Sequence, residues 1–132
     1  MRPYLFLSLF LLASVYSYSQ SQKKLILGKW EASKLEHFDK AGKLDQEASD
    51  HFWNTLQGRT LEFKKDKTVI IPGYTDCSWY IKKGNLFMRY SATGKWSQDK
   101  ILQLDKKLLK VKDTESFAEE GEVQVFEYTR VD

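Results

Sequence analysis

The side chains able to do covalent or proton-transfer chemistry are few in this sequence. Asp50 and His51 stand side by side, and a carboxylate can orient an imidazole as a general base. Neighbouring positions on a helix point apart, and no nucleophile elbow accompanies the pair. It is expected to form part of a solvated helix face. His37, close to Glu36 and Asp39, is expected in a polar loop that serves solubility. Cys77 alternates in phase with Trp79 and Ile81. Free cysteine is among the most buried residue types, so a core role is expected for it. A structural zinc site needs about four ligands at close spacing; one cysteine and two histidines do not supply them. No phosphate-cradling glycine loop appears. These residues argue against an enzyme and imply no metal and no cofactor.

The aromatic residues carry a different chemistry, that of burying an apolar molecule. The chain holds eight Phe, seven Tyr and four Trp among 132 residues. Trp79, Met88, Tyr90, Trp96, Phe126 and Tyr128 fall on alternating segments, and Phe52 and Trp53 fall in a long link. Together they are the candidate ligand-binding residues, an apolar lining with a few polar tips. The competing expectation is an interior filled by the same side chains. An eight-stranded barrel is just wide enough to be filled or to hold one small ligand.

The elements that must position them repeat with a period of two. Leu61 and Phe63 alternate with Thr60 and Glu62. Thr68 to Ile71 stops at Pro72-Gly73, and Thr75 to Ile81 ends in the turn Lys82-Lys83-Gly84-Asn85. Leu86 to Tyr90, Lys95 to Leu104, Leu108 to Lys112 and Val123 to Arg130 follow, separated by further turns. With the opening run Gly28 to Leu35 this predicts eight strands. Short links demand antiparallel neighbours. The expected fold is all-β, an eight-stranded antiparallel up-and-down barrel, since closure removes exposed strand edges. The link from Leu35 to Thr60 is the exception. Ala48, Phe52 and Leu56 recur there at helical spacing, with Asp45 as a cap and Gly58 as a stop, which predicts a short helix or lid over Asp45 to Gln57.

Residues 1–19 stand apart. Arg2, the apolar run Leu5 to Val15, and small residues at Ser17 and Ser19 make the pattern of a secretory signal peptide. The run is short of the roughly 20 apolar residues that cross a bilayer. Residues 20–132 would then form one exported domain, periplasmic or secreted. No cysteine just beyond residue 19 offers a lipid anchor.

Leu27-Gly28-Lys29-Trp30 at the start of the first strand, and Tyr128-Thr129-Arg130-Val131 at the end of the last, resemble the two ends of a lipocalin. The similarity runs through the strand count, the meander order and the long first link. It is nearest to small bacterial lipocalin-like domains of the calycin type. The resemblance implies that Arg130 packs across Trp30 next to Gly28, a cation–π contact worth about 0.5–2 kcal/mol. Avidin-like proteins share the opening, but Glu31-Ala32-Ser33 lacks the Asn-rich set expected to hold biotin.

The resemblance implies a small, mostly apolar ligand held under the lid. The alternative is a packed barrel that binds a protein or the cell envelope through its rim. The net charge of +3 is too balanced for a nucleic-acid footprint, but the meander order divides the charges by end. Lys64, Lys65, Lys67, Lys82, Lys83, Lys106 and Lys107, with Lys23 and Lys24, are expected at one end, against Asp66 and Asp105. Glu36, Asp39, Asp45, Glu47, Asp50, Asp76, Asp113, Glu115, Glu119, Glu120 and Glu122 are expected at the other, against Lys40, Lys43 and Lys95. An acidic mouth would favour neutral or cationic ligands, and the basic end would suit an anionic envelope surface.

Overall fold

Alternation of buried and exposed side chains produces one continuous antiparallel sheet, rolled until its two edges nearly meet. The computed structural model describes residues 21–113 and 121–131; the expected signal peptide lies outside them. A helical turn at residues 21–25, α1, leads in. It is followed by β1 (Gly28–Phe38), α2 (Gln46–Leu56), β2 (Thr60–Phe63), β3 (Val69–Ile70), β4 (Ser78–Lys82), β5 (Asn85–Arg89), β6 (Trp96–Leu104), β7 (Leu108–Asp113) and β8 (Val123–Arg130). The strand order is β3-β2-β1-β8-β7-β6-β5-β4, a meander whose first three strands wrap back to meet the last. The all-β up-and-down barrel expected from the sequence is the observed architecture.

β3 and β4 come together through a single bridge, Thr68 with Ser78. Two backbone bonds support it, Val69 N–H to the Cys77 carbonyl at 3.2 Å and Trp79 N–H to the Lys67 carbonyl at 3.0 Å. Both strands are shorter than the alternation predicts. Asp76 adopts a positive φ of 58°, which takes Thr75 and Asp76 out of extended geometry.

Two bulges set which side chains face inward. In β1 the register to β8 shifts between Ala32 and Lys34, so Trp30 and Ala32 and then Leu35 and His37 are the buried residues. In β6 a shift between Ile101 and Gln103 follows Asp99 and Ile101, both buried. An inserted residue reverses the in–out phase beyond it.

The interior is divided along the barrel axis. One end is filled: Trp30, Phe63, Trp79, Ile26, Leu61, Ile71, Leu86, Leu109 and Val111 are its fully buried side chains. Arg130 closes this end. Its guanidinium lies over Trp30, 4.3 Å from the ring centre. It also donates to the Leu27 carbonyl at 2.7 Å, to the Lys106 carbonyl at 2.7 Å and to the Leu25 carbonyl. The Trp30 indole N–H donates to the Ile26 carbonyl at 2.8 Å. Trp79 belongs to this packed end, with its indole N–H on the Lys64 carbonyl at 3.0 Å and its ring edge-on to Phe63.

Candidate cavity under the helix

The other end is open and roofed by α2. Asp45 caps the helix, accepting from the Ala48 N–H at 3.0 Å. Gly58, at φ 84°, turns the chain down into β2. The roof is tied to β1 by Ser49, whose hydroxyl donates to the Asp45 carbonyl at 2.6 Å and accepts the His37 N–H at 2.8 Å. Phe52 stacks on His37 at 5.3 Å between ring centres.

His37 departs from its expected place in a polar loop. The strand continues past Leu35, and the bulge turns His37 inward, where it is 3 % exposed. Its ring lies between Gln124, 3.1 Å from Nδ1, and Glu122, 3.3 Å from Nε2. With the Gln124 amide donating to Nδ1, Nε2 carries the proton and points it at Glu122.

Beneath the helix is a cavity of about 440 Å³. Its apolar walls are Leu35, Phe52, Leu56, Met88 and Phe126; its polar lining is Arg59, Tyr74, Tyr90, Ser97, Asp99, Asp113, Gln124 and Tyr128, with His51 and Thr55 from the helix. Burial raises the Tyr90 phenol to about 12, with the Asp99 charge adding to the rise and Arg59 opposing it. Burial likewise holds the Tyr128 phenol far above its ordinary range. Both are therefore neutral hydroxyls at physiological pH, able to donate and to accept.

Of the eight candidate ligand-binding residues, Phe52, Met88, Tyr90, Phe126 and Tyr128 line this cavity together. Trp53, Trp79 and Trp96 do not. Trp53 packs against the apolar core from α2. Trp79 plugs the filled end. Trp96 lies outside the barrel, 38 % exposed, edge-on to Tyr80 and under the Arg89 guanidinium. Its phase follows from Ile101: with Ile101 inward, Asp99 and Ser97 share that face and Trp96 takes the opposite one.

Arg59, Asp99 and Gln124 are the cavity residues that aromatic content alone leaves out. The signal for Asp99 and Gln124 is their phase, two residues from Ile101 and from Phe126. Asp113, counted on the acidic rim, faces the interior at 6 % exposure. Asp50 accepts from Gln46 at 2.8 Å, while His51 turns its ring to Phe52, so the adjacent pair is split. Among the described residues no group of three or more His, Cys, Asp or Glu is placed to hold a metal ion, and no helix is long and apolar enough to cross a membrane. Comparison with family models, with curated proteins and with solved structures found no match to the chain.

Proposed function

We propose that this chain is an exported, lipocalin-like binding protein, not an enzyme, that holds one small, mostly apolar molecule, neutral or cationic, beneath α2. The observation that carries the reading is the division of the interior: one end filled with side chains, the other a roofed cavity of about 440 Å³, within the roughly 300–1,000 Å³ typical of small-molecule sites. The lipocalin kinship is supported by the meander order, by Gly28 and Trp30 at the start of β1, and by Arg130 across Trp30. Binding would draw on burial of apolar area, about 25 cal/mol per Å² before association costs. Release would require α2 to lift.

The test is a titration with N-phenyl-1-naphthylamine, a neutral apolar fluorophore. The expected result is saturable fluorescence enhancement at one site per chain, lost in Met88→Trp, where the larger ring fills the cavity. A folded protein that leaves the probe dark, or a Met88→Trp variant that binds it unchanged, overturns the reading. A second element of the proposal concerns the opposite end. Lys64, Lys65, Lys67, Lys82, Lys83, Lys106 and Lys107 share it, and this concentration suits contact with an anionic envelope surface.

A further inference from the structure

The outer wall of β4, β5 and β6 carries a group of rings that the core does not use. Trp79, Ile81, Leu86 and Met88 are buried, so Tyr80 and Phe87 between them face outward, on the side that Trp96 takes from β6. Tyr80 and Phe87 are direct partners, as are Arg89 and Trp96. The Tyr80 and Phe87 rings stack on one another, 4.5 Å apart and 7° from parallel, which closes their facing sides. Trp96 packs against the Arg89 guanidinium at 4.8 Å and meets Tyr80 at 66°. One face of the indole is thereby taken, and the opposite face is left to carry its 38 % exposure. The wall offers one flat apolar platform to solvent.

The charge around that platform has one sign. Lys82 follows Tyr80 on the outer side of β4, Lys100 follows Gln98 on β6, and Lys112 of β7 is the direct partner of Lys100. Neither these lysines nor Arg89 has an ion pair among the described residues. Arg89 is also incompletely satisfied, since its Nε is buried with no hydrogen-bond partner. No Asp or Glu takes an outward position on β4, β5 or β6; the one acidic residue of these strands, Asp99, faces the interior. An aromatic face bordered by cations alone is complementary to a ligand that joins a flat apolar surface to negative charge.

We propose that this wall is a second binding site, separate from the cavity, and that it takes an acidic polysaccharide. A pyranose ring presents a face of C–H groups to the Trp96 indole and a rim of hydroxyls to Gln98 and Ser78. The carboxylates of successive sugars meet Arg89, Lys100 and Lys112 in charge-assisted hydrogen bonds. A single-stranded nucleic acid also combines stacking with positive charge, but it uses a succession of aromatic platforms for successive bases. Here Tyr80 and Phe87 are closed on each other, and Trp96 alone remains.

The test is calorimetric titration of the full folded chain at low salt with a galacturonic acid octamer, with the same octamer fully methyl-esterified, and with an oligothymidylate of equal length. The acid octamer should bind at least about tenfold tighter than its neutral ester, the scale of a charge-assisted hydrogen bond, and lose affinity as salt rises. Trp96→Ala should weaken it about tenfold or more, as expected of a central aromatic anchor. Lys100→Glu combined with Lys112→Glu should weaken it as much, and decides the matter if Trp96→Ala does not fold. Both changes should leave N-phenyl-1-naphthylamine binding as it is, which separates this site from the cavity. Absence of binding by the acid octamer, or equal binding of acid and ester, overturns the proposal. Tighter binding of the oligothymidylate overturns the polysaccharide assignment. Binding of the acid octamer that survives both Trp96→Ala and the double lysine reversal overturns the site.

Discussion

A Cβ placed on Gly28 would lie 2.5 Å from Nη1 of Arg130. Gly28 also sits at φ 120°, a conformation that side chains with a Cβ rarely adopt. The glycine is therefore fixed by the arginine that caps the barrel: the guanidinium reaches the Leu27 and Leu25 carbonyls across the space where a side chain would stand. Arg130→Ala removes the stack on Trp30 and uncaps three carbonyls. It is expected to cost about 2–4 kcal/mol, from a cation–π contact and several charged hydrogen bonds with partial solvent compensation. Gly28→Ala should destabilise as well, by strain and by displacing Arg130. Urea denaturation followed by tryptophan fluorescence measures both. A midpoint for Arg130→Ala equal to that of the unchanged chain would contradict the capping role.

The sequence made the barrel legible because hydrophobic period and turn residues agreed along the whole chain. Trp30, Leu61, Phe63, Trp79, Ile81, Leu86 and Met88 all mark their strands' inner face. The cavity lining was legible only where aromatic residues kept that phase, as with Tyr90, Phe126 and Tyr128. It was lost where side-chain chemistry and phase disagree. Trp96 is aromatic yet outward, and Asp99 is charged yet inward. The β1 bulge hid His37, because a one-residue insertion reverses facing and nothing in Ser33-Lys34 announces it. The filled and open interiors, set against each other as alternatives, turn out to occupy opposite ends of one barrel.

Ser49 decides how firmly the roof is held. Its hydroxyl joins the β1 backbone at His37 to the first turn of α2 at Asp45. Ser49→Ala strands a buried N–H, at a cost of about 1–3 kcal/mol, and frees the N-terminal half of the helix. The expected outcome is faster amide exchange in residues 46–56 and faster release of N-phenyl-1-naphthylamine. The exchange of β6–β8 should barely change. Uniformly faster exchange across the barrel would show that Ser49 serves the whole fold and not the roof.

Alkaline pH should destabilise the protein through the cavity tyrosines. An ordinary phenol titrates near 10, and Tyr90 is raised to about 12 by burial, with Tyr128 raised further. A raised folded pKa means the native state keeps its proton where the unfolded chain has lost it. The stabilising contribution is therefore complete below about pH 10 and declines as pH climbs from there through 12. Absorbance at 295 nm should show two late phenols that ionise together with loss of structure. Tyr90→Phe should remove part of that late absorbance and flatten the alkaline loss of stability. Early, independent ionisation of every tyrosine would contradict the buried placement.

Cys77 is 3 % exposed, and burial, with the nearby Asp76 charge, pushes its thiol up. Thiolate is the reactive form, so both effects slow the same reaction. Labelling with a maleimide at neutral pH should be slow in the native protein and become rapid in denaturant. Cys77 lies beside the bridge where β3 meets β4, its carbonyl accepting from Val69, so its labelling rate also reports on opening of that seam. Native labelling as fast as in denaturant would mean that the barrel is open there.

The separation of charge by barrel end yields the last prediction. Lys106 and Lys107 sit in the β6–β7 turn beside Arg130, whose Nε donates to the Lys106 carbonyl. Lys64, Lys65 and Lys67 leave the same end between β2 and β3. At the roofed end stand Asp39, Asp45, Glu47 and Asp50 around α2, with Asp76 and Glu122 on neighbouring links; Glu115, Glu119 and Glu120 lie outside the described residues. Lysines at turn tips favour solubility wherever they fall, but solubility alone does not sort them by end. The chain should therefore bind vesicles containing phosphatidylglycerol and ignore vesicles of phosphatidylcholine alone. Because exposed charges are screened over about 10 Å at 0.1 M salt, binding should fade as salt rises. Reversing Lys106 and Lys107 to Glu should weaken vesicle binding steeply, since each basic residue near such a surface is worth about 1 kcal/mol. Their distance from the cavity should leave N-phenyl-1-naphthylamine binding unchanged. Vesicle binding that survives the double reversal, or that is lost instead on reversing Asp39 and Glu47 to Lys, would place the contact elsewhere on the barrel.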